Sequence, residues 1–322
     1  TGDHLPDLLI PHPRRGWNRF QVLRNLGGGR FAAATPPITP LGEQPAAAAR
    51  GRERVMYFGD LDGDGVAEYV TQQEVWTAGK TSMRKQIEHA KRPVYVYRFH
   101  RMRPDFSMEP KPYLELHAEG YAFAGSDAAG GEGDAESGGG LEMNVPAAFQ
   151  DLEGNGRQDL ITMTLDVSLL QALRVLTVKR ISIGVDFHIW CQGKDGRFAP
   201  VRGLDIGGRF DVDLNNLKVS NLLRFGDFDG DGRTDFIQMG RGRTANIHLE
   251  RPGCSYSKRP DLTVELREPP LDLSLVQVKD LDGDGRADFL IVQPQRPSSA
   301  KPGEAAVTPP VRLDLYLSRG KP

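Results

Sequence analysis

Cysteine is scarce in this chain of 322 residues: Cys191 and Cys254 are the only two. They permit one disulfide at most, and they exclude both a disulfide-built miniature fold and a cysteine-rich zinc site. No run of about 18 apolar residues occurs, so no transmembrane helix is expected. The sequence holds no Gly-x-Ser-x-Gly, no phosphate-binding loop and no His-Glu-x-x-His, and its seven histidines lack metal-ligand spacing. That removes the commonest hydrolase, nucleotide and zinc-protease chemistries. Net charge is only −2, with 41 basic and 43 acidic residues, and no nucleic-acid partner is expected. What the chain has in quantity is glycine and proline, 37 and 23 residues, above average usage of about 7% and 5%. Such a surplus means many turns and few long helices, which points to an all-β fold.

The acids are unevenly spread, because one nine-residue pattern recurs. It reads Asp60-Leu-Asp62-Gly-Asp64-Gly-Val66-Ala-Glu68, then Asp151-Leu-Glu153-Gly-Asn155-Gly-Arg157-Gln-Asp159. The third and fourth copies are Asp227-Phe-Asp229-Gly-Asp231-Gly-Arg233-Thr-Asp235 and Asp280-Leu-Asp282-Gly-Asp284-Gly-Arg286-Ala-Asp288. A partial copy, with Asp3 and Asp7, opens the chain. Up to four carboxylates within nine residues repel one another, and a hard cation with oxygen ligands relieves this; calcium fits best. Side chains at positions 1, 3, 5 and 9 and the carbonyl of position 7 can wrap one ion. Glycine at positions 4 and 6 permits the tight turn.

An EF-hand shares the opening Asp-x-Asp-x-Asp-Gly but needs a bidentate Glu at position 12 and a helix afterwards. Position 12 is Thr71, Thr162, Gln238 and Ile291. The segments that follow, such as Asp235-Phe-Ile-Gln-Met and Asp288-Phe-Leu-Ile-Val, are short and rich in β-branched and aromatic residues, hence strands. The residues before the loops, such as Val55-Met-Tyr-Phe58, are strand-like too. Each loop therefore joins two strands.

This unit, including Phe58-Gly59-Asp60 and Phe225-Gly226-Asp227, resembles the FG-GAP or VCBS repeat of integrin-like β-propellers. The resemblance implies a β-propeller of four-stranded antiparallel blades, with the acidic loop between strands 1 and 2. It implies structural calcium, about one ion per intact loop and weaker at 151–159, where Glu153 and Asn155 make the loop longer-armed and less charged. The expected layout is one domain over 1–322 with five units and flexible insertions at about 32–54, 121–144 and 294–310. Third strands are expected at Phe20–Arg24, Val94–Phe99, Val185–Trp190, Ala245–Glu250 and Val311–Ser318. Fourth strands are expected at Tyr113–Ala118, Phe198–Val201 and Leu262–Leu266. A ring closes to remove its sheet edges, so the chain is expected to be part of a longer protein.

Antiparallel order places the acidic loops at one end of the sheets and the 2–3 and 4–1 connections at the other. The long connections all fall at that second end: Val75–Pro93, Asp166–Gly184 and Pro294–Pro310, with Ala32–Arg54 and Gly120–Asn144. The 2–3 connections carry Lys80, Arg84, Lys85, Arg174, Arg241 and Arg243 among other basic residues. This end is expected to meet a protein or glycan, with an acidic ligand favoured. Millimolar extracellular calcium suits such loops, so the expected setting is secreted, periplasmic or cell-surface. The leading function is non-catalytic recognition. The alternatives are a polysaccharide lyase or hydrolase, or a structural subunit of a surface assembly.

Other features read more plainly. Gly240-Arg-Gly242-Arg-Thr-Ala245 is expected to be a hairpin turn rather than a dinucleotide site, because a strand follows. Asp166–Leu176 has helical apolar spacing. The tryptophans are expected to pack between blades more often than to stack on sugars. Whether Cys191 and Cys254 pair is left open by spacing alone.

Overall fold

The computed structural model describes residues 5–12, 16–32, 36–42, 52–75, 82–122, 147–166, 180–201, 206–213, 222–240, 242–271, 273–294 and 311–319. The described chain is all-β with one α-helix, and every paired strand runs antiparallel to its neighbour. The first sheet pairs β1 (Leu8–His12) with β2 (Gly16–Leu23). The second is a meander of β3 (Arg54–Gly59), β4 (Glu68–Glu74), β5 (Val94–Arg101) and β6 (Leu114–Glu119). The third orders β7 (Phe149–Gln150), β8 (Asp159–Asp166), β9 (Arg180–Gln192) and β10 (Phe198–Pro200), and β11 (Ile206–Asp213) also pairs with β9.

The fourth sheet orders β12 (Leu222–Gly226), β13 (Asp235–Met239), β14 (Thr244–His248) and β17 (Leu262–Glu265). A two-stranded hairpin of β15 (Glu250–Arg251) and β16 (Ser255–Tyr256) projects between its last two strands. The fifth orders β18 (Val276–Lys279), β19 (Asp288–Pro294) and β20 (Val311–Tyr316). The expected third and fourth strands coincide with β2, β5, β9, β14, β20 and with β6, β10, β17.

Period-2 patterning explains the second strand of each sheet only in part. β8 is buried along six consecutive residues, Asp159–Thr164, so it is covered on both faces, as a continuous β-branched and apolar run requires. The cover comes from the neighbouring sheets. One core cluster joins Phe20 and Val22 of the first sheet to Val55 and Tyr69 of the second. Another joins Met56, Val70, Tyr97 and Phe99 to Phe149 and Leu160 of the third. A third joins Ile161, Phe187 and Ile189 to Leu223 and Phe236 of the fourth, and the last joins Ile237 and Ile247 to Val276 and Phe289 of the fifth. Trp190 belongs to one of these inter-sheet clusters, as packing predicts.

Three sequence-based boundaries are corrected. Residues 180–184, assigned to a connection, lie in β9, because they pair with β11, and Gly184 pairs also with Asp166 of β8. The connection Val75–Pro93 holds the helix α1 (Met83–Lys91). Within the Ala32–Arg54 segment, Ile38 bridges to Phe20 and packs on the first core cluster. The helical pattern over 166–176 lies outside the described residues beyond Asp166, which ends β8.

Cys191 on β9 and Cys254 in the turn of the β15–β16 hairpin form a disulfide with Cα atoms 5.9 Å apart. The bridge ties the third sheet to the fourth across 63 residues of sequence. Loop-closure entropy on that scale contributes up to about 4 kcal/mol. The double substitution Cys191→Ser, Cys254→Ser should therefore lower the melting temperature by roughly 10 °C. Calorimetry of the two proteins checks this, and coincident melts would refute the bridge.

Candidate metal centres

Each acidic loop sits between the first and second strands of a sheet: 60–68 between β3 and β4, 151–159 between β7 and β8, 227–235 between β12 and β13, and 280–288 between β18 and β19. The fourth and sixth residues of all four loops are glycines with φ between 65° and 85°, a region that side-chain-bearing residues avoid. That curl aims successive N–H groups inward, and the acids receive them. Asp60 accepts from Gly63 N–H at 2.8 Å and from Gly65 N–H at 2.9 Å. Asp227 accepts from Gly230 and Gly232, and Asp280 from Gly283 and Gly285, on the same plan. The fifth-position side chain accepts from the seventh N–H in every loop, at 2.7–2.9 Å.

The ninth residue anchors the loop to the sheet. Glu68, Asp159, Asp235 and Asp288 are all buried. Each accepts the N–H of its own loop's second residue, Leu61, Leu152, Phe228 and Leu281, at 2.8–3.0 Å. The remaining oxygen of Asp159, Asp235 and Asp288 accepts an N–H at the end of the sheet's third strand or just beyond it, from Gln192, Glu250 and Ser318. Asp7 accepts the N–H of Asn25, just beyond β2, at 2.8 Å, which sets the partial copy in the same register. Asp3 lies outside the described residues.

Glu68 differs, because its Oε1 is buried without a hydrogen-bond partner, 3.8 Å from the Arg101 guanidinium. Burial first, then the charges of Asp62, Asp64 and Asp60, pushes its pKa up to about 7. Burial likewise pushes Asp235 up to about 7, with Asp229 and Asp227 adding to it, and Asp159 to about 6. Deprotonated, these groups hold charge that the fold crowds and a cation relieves.

Carboxylate oxygens of positions 1, 3 and 9 lie within 4.8 Å of one another in three loops: Asp60, Asp62 and Glu68; Asp227, Asp229 and Asp235; Asp280, Asp282 and Asp288. Three such oxygens can face one ion at the 2.3–2.6 Å that calcium takes. The orphaned Glu68 Oε1 is an acceptor that such an ion would satisfy. In these loops the residues present fit calcium. The fifth-position acids Asp64, Asp231 and Asp284 and the seventh-position carbonyls of Val66, Arg233 and Arg286 stand beside these groups in sequence. Asp151, Glu153 and Asp159 do not converge in this way. Glu153 instead groups with the sulfurs of Cys191 and Cys254, and it accepts from Gly253 N–H at 3.0 Å.

Two features of these loops escaped the sequence reading. Arginine side chains at position 7 reach across to neighbouring groups. Arg286 Nε donates to the carbonyl of Asp229 at 3.3 Å, and Arg233 lies 3.3 Å from Asp231 and 3.5 Å from the buried Glu250. Their recurrence in three of the four copies was the available signal. Consecutive loops are also joined by backbone. Gln158 N–H donates to the carbonyl of Leu61 at 2.9 Å and Thr234 N–H to that of Leu152 at 2.8 Å. Ala287 N–H donates to that of Asp227. The second-position side chains fill the gaps this makes. Leu61 and Leu152 are 0% exposed and Phe228 4%, whereas Leu281, with no further described sheet beyond it, is 41% exposed.

Residues 1–71 match the family model of the FG-GAP-like repeat, a span from the partial copy through the loop 60–68 into β4. Over that span the chain is similar to the repeat that its acidic loops resemble. No curated protein matches it.

Proposed function

We propose that this chain is a calcium-stabilised β-propeller that recognises a protein or glycan without catalysing a reaction, and binds it at the end opposite the acidic loops. The observation that carries the reading is the division of the sheets into two ends. At one end the four acidic loops are chained to one another by backbone hydrogen bonds. At the other, α1 spans the connection from β4 to β5 and presents exposed Arg84 and Lys85. Lys91 and Arg92 of the same segment are matched by Glu88 and Glu119 at 3.2 and 3.5 Å. Asp62, Asp229 and Asp282, with the first- and ninth-position acids of their loops, would hold the ions. Bound calcium supplies positive charge that lets the carboxylates stay close. The disulfide between consecutive sheets supports a secreted, periplasmic or cell-surface setting, where such bonds persist.

The favoured ligand is acidic. A uronate polymer such as polygalacturonate, applied to calcium-loaded protein, should bind with an affinity that falls as salt rises, because exposed charge pairs are screened over about 8–10 Å. The double change Arg84→Ser, Lys85→Ser should weaken that binding about tenfold, the equivalent of about 1.4 kcal/mol, and leave the melting temperature within about 2 °C. Affinity indifferent to salt and to both substitutions would set this reading aside.

A further inference from the structure

The second loop departs from the other three in how its third residue is used. In loops 60–68, 227–235 and 280–288 the third-position carboxylate stays over its own loop and accepts the fifth N–H at 3.2–3.3 Å. In loop 151–159 that N–H goes to Asp151 instead, at 3.0 Å. Glu153, one methylene longer than Asp, reaches beyond the loop. Its Oε1 accepts from the backbone N–H of Gly253 at 3.0 Å, and its Oε2 from the side-chain amide of Asn155 at 2.9 Å.

The receiving group is held in place. Gly253 and Cys254 form a turn with φ of 87° and 53°, and Cys254, fully buried, is bonded to Cys191. The N–H that Glu153 meets therefore belongs to a hairpin fixed covalently to β9. The backbone bonds of Asp159, from Leu152 and Gln192, and of Asp151, from Asn155 and Gly156, have counterparts at Asp235 and Asp288 and at Asp227 and Asp280, so what sets this loop apart lies at its third and fifth positions. The fifth position is the neutral Asn155, whose Oδ1 accepts from Arg157 N–H at 2.9 Å. No trio of carboxylate oxygens converges there, in contrast with the other three loops.

We infer that loop 151–159 is a metal-free copy of the repeat in which Glu153 serves as a tether between the third and fourth sheets, so that the described loops take three calcium ions rather than four. The inference rests on the calcium reading of the other three loops. Calcium chloride titration of the full chain by isothermal calorimetry, with the count checked by native mass spectrometry, tests it.

Three ions per chain are expected. Asp62→Ala, Asp229→Ala and Asp282→Ala should each lower the count by one. Glu153→Ala should keep it at three while lowering the melting temperature by about 2–4 °C, equally in calcium and in EDTA, because the lost contact is to the hairpin. Four ions in the parent protein, or one ion fewer in Glu153→Ala, would overturn the tether and leave the calcium reading intact. No ions in the parent would overturn the calcium reading and the inference together.

Discussion

Removal of calcium with EDTA should lower the melting temperature by about 15 °C or more. A ligand bound only by the folded state stabilises it by RT ln(1 + [L]/Kd), about 2.7 kcal/mol for each site at a hundredfold excess over Kd. Extracellular-type loops have Kd values of roughly 0.1–1 mM, so about 10 mM calcium approaches that excess. Three sites then contribute roughly 8 kcal/mol, and about 1 kcal/mol moves the melt of a chain of this class by 2–4 °C. The physical source is the crowding already visible in the loops. Glu68 and Asp235 are pushed up to about 7 by burial and then by neighbouring carboxylates. Without a cation that charge is relieved only by taking up protons or by opening the loop. Magnesium should restore little of the loss, since it demands near-octahedral geometry at 2.0–2.1 Å and keeps its waters. Scanning calorimetry in calcium, magnesium and EDTA gives the answer. Superimposable melts in all three would remove calcium from any structural role.

The second large effect is expected at Gly154. A Cβ placed on this residue would lie 1.8 Å from the carbonyl oxygen of Gly232 in the next loop, so the loops must separate to admit even alanine. Separation breaks the bonds from Thr234 to the carbonyls of Leu152 and Asp151, both 2.8 Å, and it uncovers Leu152, which is fully buried. The backbone adds its own cost, because φ is +65° and a side-chain-bearing residue there is disfavoured by about 1–2 kcal/mol. Gly285 separates the two effects. Its φ is +85°, but nothing lies within 4 Å of an added Cβ. Gly285→Ala should therefore cost only about 1–2 kcal/mol, whereas Gly154→Ala should cost about 4 kcal/mol or more, near the upper range for single substitutions. Chemical denaturation of the two variants measures the difference. Equal costs would show that the loops do not touch in solution.

Local sequence determined the parts of this protein whose causes are local. A nine-residue spacing of acids and glycines specifies its own turn, because the glycines supply positive φ and the first-position Asp receives the N–H groups that the turn exposes. Short β-branched and aromatic runs on either side specify strands, and the third and fourth strands were legible for the same reason. Helix α1 could have been read from Ser82 at its start and the four-residue spacing of Met83 and Ile87, but the basic residues around it drew the segment toward a plain loop.

Tertiary structure decided what depends on groups distant in sequence. The pairing of Cys191 with Cys254 across 63 residues needs the third and fourth sheets to be adjacent, which no spacing conveys. The pairing of β11 with β9 and the seating of Ile38 on Phe20 depend on partners that local propensity does not choose. Glu153 is the clearest case. By pattern it is a longer-armed acid at a third position, and only the placement of Gly253, 100 residues later, turns its carboxylate from its own loop to the neighbouring sheet. A carboxylate accepts whichever donors stand within about 3 Å. The motif decides which oxygens are on offer, and the packing of one sheet on the next decides what they meet.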